Sequence, residues 1–263
     1  MGLLDWLLPP KWRSLLKQFK GYGYKGNYAS WSAATAASKG YADAHIFEQV
    51  KQAALAVKAG KAAFDRDSVL FEKVEYDFPI LSALLYTSQL QESLQVLDFG
   101  GATGSMYFQY KTALQAISPL RWLVVEQAHF VAFGQSALQD KTLRFYPDLA
   151  SARSENQPNL ALLGCVLPYL ENPYQWLDAI YAADIPYVLI DKHPLLPGIY
   201  DRLTIQHTNP KVYRASYPAW FFGEAKFRAA LKGRFDVLFE YVCPDQSNLP
   251  QSSFKGFFLK RLQ

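Results

Sequence analysis

The stretch Val96-Leu97-Asp98-Phe99-Gly100-Gly101-Ala102-Thr103-Gly104 decides how this chain folds. Its apolar start reads as a buried strand, which an acid and a glycine-rich turn bring to an end. Ser105 to Ile117 then has the length and composition of a helix. Strand, glycine turn and helix in that order open a nucleotide-type α/β sheet. Glycine suits such a turn because a Cβ would collide with a closely approaching ligand.

The turn excludes two common ligands. Counting from Gly100, the dinucleotide pattern G-x-G-x-x-G fails, because Ala102 and Ser105 hold the later positions. That disfavours a nicotinamide-dependent reductase. A P-loop would need a lysine after Gly104, and Ser105 stands there. What remains is acid-x-Gly-Gly-x-x-Gly. Asp98 at its head would repel a pyrophosphate but can pair with the ammonium of a methionyl group. The pattern resembles the first motif of S-adenosylmethionine-dependent methyltransferases, acid-x-Gly-x-Gly-x-Gly, with Ala102 in place of the middle glycine. A tight turn without a ligand is the plain alternative.

A second acid favours a nucleoside. Trp122-Leu123-Val124-Val125 reads as a strand ending at Glu126, 22 residues beyond Gly104. A carboxylate about 20 residues past such a turn can accept hydrogen bonds from both ribose hydroxyls. Dinucleotide and adenosylmethionine sites share this geometry, so it supports a nucleoside without choosing between them. A surface glutamate is the alternative.

Composition sets outer bounds. Of the 263 residues, 50% are hydrophobic and 16% aromatic, ample for a sizeable core. No apolar run reaches the roughly 18 residues needed to span a bilayer. Leu3 to Leu8 is too short for a secretory leader and is interrupted by Asp5. Cys165 and Cys243 form no C-x-x-C pair, and the four histidines lack zinc spacing, so no metal site is expected. Free thiols favour a reducing, cytoplasmic setting. A net charge of only +4 gives no reason to expect nucleic acid. Locally, Lys11, Arg13, Lys17 and Lys20 accompany Trp12, Leu15, Leu16 and Phe19 at helical spacing. Such a helix over residues 11–20 either lies weakly on an anionic membrane at the cell's inner face or docks on its own domain.

Helical composition runs through Ser32 to Lys39, Ala44 to Gly60 and Ser68 to Leu90, broken at Gly40 and Pro79. From Leu94 strands alternate with helices: near 95–98, 122–126, 142–146, 160–166 and 186–191, with a final pair at 235–242 and 255–261. Alternation predicts a parallel sheet and the closing pair one antiparallel strand. The chain therefore divides into a helical N-terminal region, 1–93, and a Rossmann-like seven-stranded mixed α/β sheet, 94–263.

Ligands of open α/β sheets sit beyond the carboxyl ends of the strands. That places Cys165 to Tyr169 beside a transferred group, Phe99 and Gln127 in the cofactor's neighbourhood, and Tyr146, Pro147 and Asp148 near an adenine. Tyr169 is either a contact or a core aromatic. The Asn/Asp-Pro-Pro-Tyr motif of planar-nitrogen methyltransferases is missing, which disfavours a base or glutamine amide as acceptor. An oxygen nucleophile of high pKa needs a proton acceptor, and His193 at a strand's end is the leading candidate, with Asp191 as partner or substitute. His207 is a second. Two aromatic clusters, Tyr22 to Trp31 and Tyr213 to Phe222, suit either a flat ligand such as a sugar or a core beneath a loop.

From about residue 20 to the C-terminus the chain resembles a family of methyltransferases found among bacterial surface-polysaccharide and lipopolysaccharide biosynthesis proteins. The matching stretches are Gly23-Tyr24, Ser30-Trp31, Gly40-Tyr41, Asp65-Arg66-Asp67-Ser68, Asp98-Phe99-Gly100-Gly101, Val125-Glu126-Gln127, Leu167-Pro168-Tyr169-Leu170 and Ala215-Ser216-Tyr217-Pro218-Ala219-Trp220. The resemblance implies a class I methyltransferase fold. It also implies S-adenosylmethionine as cofactor, carried by Asp98, Gly100, Gly101 and Glu126. Its company suggests a sugar or glycan precursor as acceptor and O-methylation as the reaction. His193 belongs to no part of the family pattern. The rival expectation is a non-catalytic module of the same fold that holds a nucleoside or glycan in a biosynthetic complex. Ala102 and the missing base favour that rival.

Overall fold

The computed structural model describes residues 21–39, 44–210 and 215–262. The basic segment expected over residues 11–20 lies outside them. Among the described residues no helix is long and apolar enough to cross a membrane.

Six elements precede the sheet: β1 (Gly23–Lys25), α1 (Trp31–Ala36), α2 (Ala44–Lys58), β2 (Phe64–Arg66), β3 (Val69–Phe71) and α3 (Phe78–Gln91). Alternation follows as β4 (Leu94–Phe99), α4 (Ser105–Tyr110), β5 (Leu120–Val125), α5 (Ala128–Phe133), β6 (Leu143–Tyr146), α6 (Leu149–Glu155), β7 (Leu160–Gly164), α7 (Pro173–Ala182) and β8 (Tyr187–Leu196). The chain closes with β9 (Arg202–His207), β10 (Ser216–Gly223), α8 (Glu224–Leu231), β11 (Phe235–Val242) and β12 (Ser253–Arg261).

The central sheet has the order β6-β5-β4-β7-β8-β12-β11. The pairs from β6 to β8 are parallel, and β12 runs antiparallel to both its neighbours. This is the mixed, Rossmann-like seven-stranded sheet expected from the sequence. Leu97, Leu123, Leu162 and Val188 are fully buried, as strands covered on both faces must be. Strand order reverses between β4 and β7, which opens a crevice at their carboxyl ends.

Two local expectations are corrected. Residues 64–71 form a hairpin rather than the start of a helix at Ser68. Asp67 and Ser68 take φ of 51° and 65° at its turn, and Phe64 stacks on Phe71 with ring centroids 4.5 Å apart. The helix after the glycine turn is also shorter than Ser105 to Ile117, ending at Tyr110.

The sequence reading assigned no strands at 202–207 or 216–223. Both are strands, and with β1 they form an antiparallel extension, β1-β9-β10, joined to the distal end of β8. The junction has a simple geometry. One edge of β8 is occupied by β12 from Tyr187 to Leu195. Its other edge is held by β7 only as far as Asp191 and is taken up again by β10 at Leu195. Between them lies a notch at Lys192-His193-Pro194, and Lys192 bends there with φ of 52°.

Candidate functional site

Beyond β4 and β5 the chain builds a cradle from backbone. Gly100 has φ of +75°, and a Cβ there would stand 2.4 Å from Val166 Cγ2. At Gly101 a Cβ would stand 2.5 Å from the Asp98 carboxyl group. Neither position tolerates a side chain without movement of its neighbour. Ala102 is left-handed as well, at φ +47°, a conformation costing an L-residue about 1–2 kcal/mol. Gly100 N–H donates to Val125 O at 2.9 Å, tying the turn to β5.

Glu126 sits at the end of β5 beside this turn, half-buried. Its carboxylate accepts the backbone N–H groups of Gln127 and Ala102, and burial pushes its pKa up. A carboxylate has about four acceptor positions, so two remain for ligand hydroxyls. Gln127 is exposed and stands at the N-terminal boundary of α5 without a side-chain cap bond. Thr103 Oγ1, buried inside the turn, has no hydrogen-bond partner among the described residues. An acid with free lone pairs, closely packed glycines and an unpartnered hydroxyl together fit the ribose and methionyl ends of an adenosylmethionine-type group.

Asp98 departs from its expected role. Its carboxylate points beneath the turn, 2% exposed, and accepts Trp122 Nε1–H at 2.8 Å. Burial pushes its pKa up to about 7. It therefore braces the turn from below. Phe99 is likewise a core residue, 4.6 Å from the Trp176 ring. Asp65, which the sequence reading did not single out as a site residue, is buried on β2 and accepts Ser105 Oγ–H at 3.1 Å, fixing the start of α4.

A second, side-chain-built region lies beyond β7 and β8. Tyr24, Gln206 and Tyr217 stand directly opposite one another across β1, β9 and β10, so they share one face of that extension. Tyr169, in the turn after β7, meets this row. Its hydroxyl donates to Gln206 Oε1 at 2.8 Å and hydrogen-bonds Tyr24, and its ring packs edge-on against Tyr217 at 5.3 Å. Cys165, at φ of 54°, brings its thiol 4.0 Å from the Tyr169 hydroxyl. Burial pushes the Cys165 thiol up to about 12 and raises the Tyr24 and Tyr169 phenols well above their ordinary value. Lys192 lies half-buried in the adjoining notch, its ammonium close enough to the Cys165 thiol to oppose that rise.

The structure does not bring the other expected residues to this region. His193 is 1% exposed and sealed between the Phe222 and Phe227 rings at 4.2 and 4.0 Å, with Nε2 unpartnered among the described residues. Burial lowers its pKa to about 3, so it is an uncharged core residue and not a general base. The reversal comes from Lys192, whose bulge sends the next side chain into the core. Asp191 faces the other way, also buried, with Oδ1 accepting Tyr241 O–H at 2.7 Å and the Cys243 thiol at 3.6 Å. His207 follows Gln206 on β9 and so leaves the opposite face. Tyr146 turns its hydroxyl to Glu155 and Asn156, at 3.1 and 3.0 Å. Pro147 is exposed, and Asp148 N-caps α6 by accepting Ser151 N–H.

No protein-family model and no curated protein matches the chain. Several solved structures overlap it at low identity. The N-terminal domain of EvdMO1, crystallised in the presence of SAH and D-fucose, gives a TM-score of 0.48 at 15% identity, covering 84% of this chain and 100% of that one. A SAM-dependent methyltransferase from Methanosarcina mazei gives 0.47 at 15%, covering 72% and 99%. The N-methyltransferase NodS from Bradyrhizobium japonicum, in complex with SAH, gives 0.45 at 13%, covering 82% and 100%. The strand order and the antiparallel β12, rather than these overlaps, carry the assignment of fold.

Proposed function

We propose that this chain is an S-adenosylmethionine-dependent methyltransferase. The observation that carries the reading is Glu126, an acid with unused lone pairs at the end of β5, facing a glycine turn at the end of β4. In this role Glu126 holds the ribose hydroxyls. The backbone amides of Gly101 and Thr103 hold the methionyl end, Gln127 and Pro147 border the adenine, and Cys165 flanks the methyl group. The bound cofactor supplies a sulfonium methyl group open to direct displacement. The protein's share is to align the acceptor with it and exclude water.

The acceptor would enter from the Tyr24–Gln206–Tyr217 face, where hydroxyls and an amide suit a hydrophilic small molecule. A sugar or glycan precursor of a surface polysaccharide, methylated on oxygen, is our specific proposal. The free thiols Cys165 and Cys243 favour the cytoplasm as its setting. A non-catalytic holder of the same nucleoside is the second reading, favoured by the sequestration of His193.

Calorimetric titration with S-adenosylhomocysteine tests the proposal. Micromolar binding is expected, weakened tenfold or more in Glu126→Ala, which corresponds to about 1.4 kcal/mol. No binding to a well-folded wild-type protein overturns it.

A further inference from the structure

The notch in the edge of β8 holds a half-buried cation at the point where the acceptor would arrive. Among the described residues the half-buried lysines are Lys51, Lys192 and Lys255; Lys51 and Lys255 each hold a carboxylate at 2.7 Å, and Lys192 makes no ion pair. Its nearest acid in sequence, Asp191, has Oδ1 engaged by Tyr241 and Cys243. The Lys192 charge reaches the Asp191 carboxyl without forming an ion pair, and Asp245 is exposed, its charge acting on Cys165 and Tyr24. The strained backbone at Lys192 matters as well. A lysine at φ of 52° is costly where glycine or asparagine would sit more easily. The bulge sets Lys192 beside Cys165, whose N–H donates to the Asp191 carbonyl at 3.0 Å, and the ammonium's charge acts on the Cys165 thiol.

Among the described residues the same region holds polar groups but no base suited to an alcohol. The Tyr24 and Tyr169 phenols and the Cys165 thiol are all held protonated by burial, and His193 is sealed in the core. A neutral hydroxyl acceptor would have to lose its proton with no partner placed to take it. A carboxylate has no such need. One of its oxygens attacks the methyl carbon with its own lone pair, the carbon–sulfur bond breaks onto sulfur, and no proton changes hands. The products are a methyl ester and the neutral thioether.

We propose that the acceptor is a carboxylate, such as a sugar acid, and that Lys192 is the residue that receives it. This rests on the methyl-transfer reading and sharpens it from a hydrophilic acceptor to an acidic one. Lys192 pairs with the incoming anion, while the Tyr24, Tyr169 and Gln206 row orients the remainder of the molecule. The ammonium then returns part of the charge interaction that the carboxylate loses on leaving water.

The test uses the full chain saturated with S-adenosylhomocysteine, titrated with acid and amide pairs of matched shape: D-glucuronate against D-glucuronamide, and benzoate against benzamide. The acid of at least one pair should bind tenfold or more tightly than its amide. Lys192→Asn, which removes the charge while tolerating the positive φ, should bring that ratio within twofold, and Lys192→Arg should keep it. Should the asparagine variant fail to fold, wild-type protein carrying 13C-dimethylated lysines serves instead. The Lys192 resonance, assigned by its loss in Lys192→Arg, should shift with the acid and not with the amide. Absence of acid preference in both pairs, a preference unchanged in Lys192→Asn, or a resonance indifferent to the acid overturns the inference. Failure to bind S-adenosylhomocysteine in the first step would instead sink the methyltransferase reading itself.

Discussion

The mouths of β4–β5 and of β7–β8 stand side by side at the same end of the sheet and are built on opposite plans. The first is made of backbone. Gly100 and Gly101 leave no room for a Cβ, Asp98 is folded beneath them, and Glu126 stands half-buried beside the turn. The second is made of side chains delivered from afar. Tyr24 comes from the N-terminal region and Gln206 and Tyr217 from the extension beyond β8, and all three converge on Tyr169. The difference teaches that a site for an invariant ligand fragment can be local, whereas a site for a particular acceptor needs parts from several elements.

The largest expected effect breaks the first mouth where it touches the second. Gly100→Ala places a methyl group 2.4 Å from Val166 Cγ2 at a positive φ. Overpacking and left-handed strain together should cost about 3–4 kcal/mol in urea unfolding. Adding Val166→Ala should return the steric part and leave the strain. If Gly100→Ala is neutral, the close packing of the two mouths is wrong.

Asp98 gives an effect of similar size. Its carboxyl pKa is raised by burial to about 7, above the ordinary carboxylate value. The folded state therefore holds a proton that the unfolded state has released, and this contribution to stability is present at pH 4 and fades as pH rises towards 7. Asp98→Asn should remove that slope and raise stability at pH 8 by about 4 kcal/mol. Binding of S-adenosylhomocysteine should stay within threefold of wild type. A tenfold loss would mean that the carboxylate reaches the ligand after all.

His193 gives a smaller effect of opposite slope. Its pKa is lowered by burial to about 3, so stability declines as pH falls from 6.5 towards 3, where the unfolded chain takes up the proton first. His193→Phe should abolish this acid sensitivity and add about 1–2 kcal/mol at pH 7 by removing an unsatisfied nitrogen. Binding of S-adenosylhomocysteine should not change. Loss of methyl transfer with stability intact would restore the histidine to the site.

What was legible in the sequence follows the same division. The glycine turn, the acid after β5 and the strands from β4 to β8 all depend on neighbours within about 30 residues, and each is found where expected. Lys192, Gln206 and the hairpin at 64–71 were missed as site or strand. Arg202-Leu203-Thr204-Ile205-Gln206-His207 does carry the alternation of a half-buried strand, with Leu203 and Ile205 buried. That signal was available. The positive φ at Lys192 was not, because nothing in Asp191-Lys192-His193 encodes a bulge until β12 and β10 fix the edges of β8.

By itself the sequence determined the fold class and the location of a glycine turn with an acid beside it. Strand periodicity, glycine sterics and an acid at a strand's end are short-range properties that any packing must respect. Tertiary structure decided which polar groups face that turn. It sealed Asp98 under the turn, sent His193 into the aromatic core, and left Lys192 and Tyr169 at the notch. Those outcomes depend on which strand occupies each edge of β8, and strand pairing between residues 24, 206 and 217 is a long-range property that no local pattern contains.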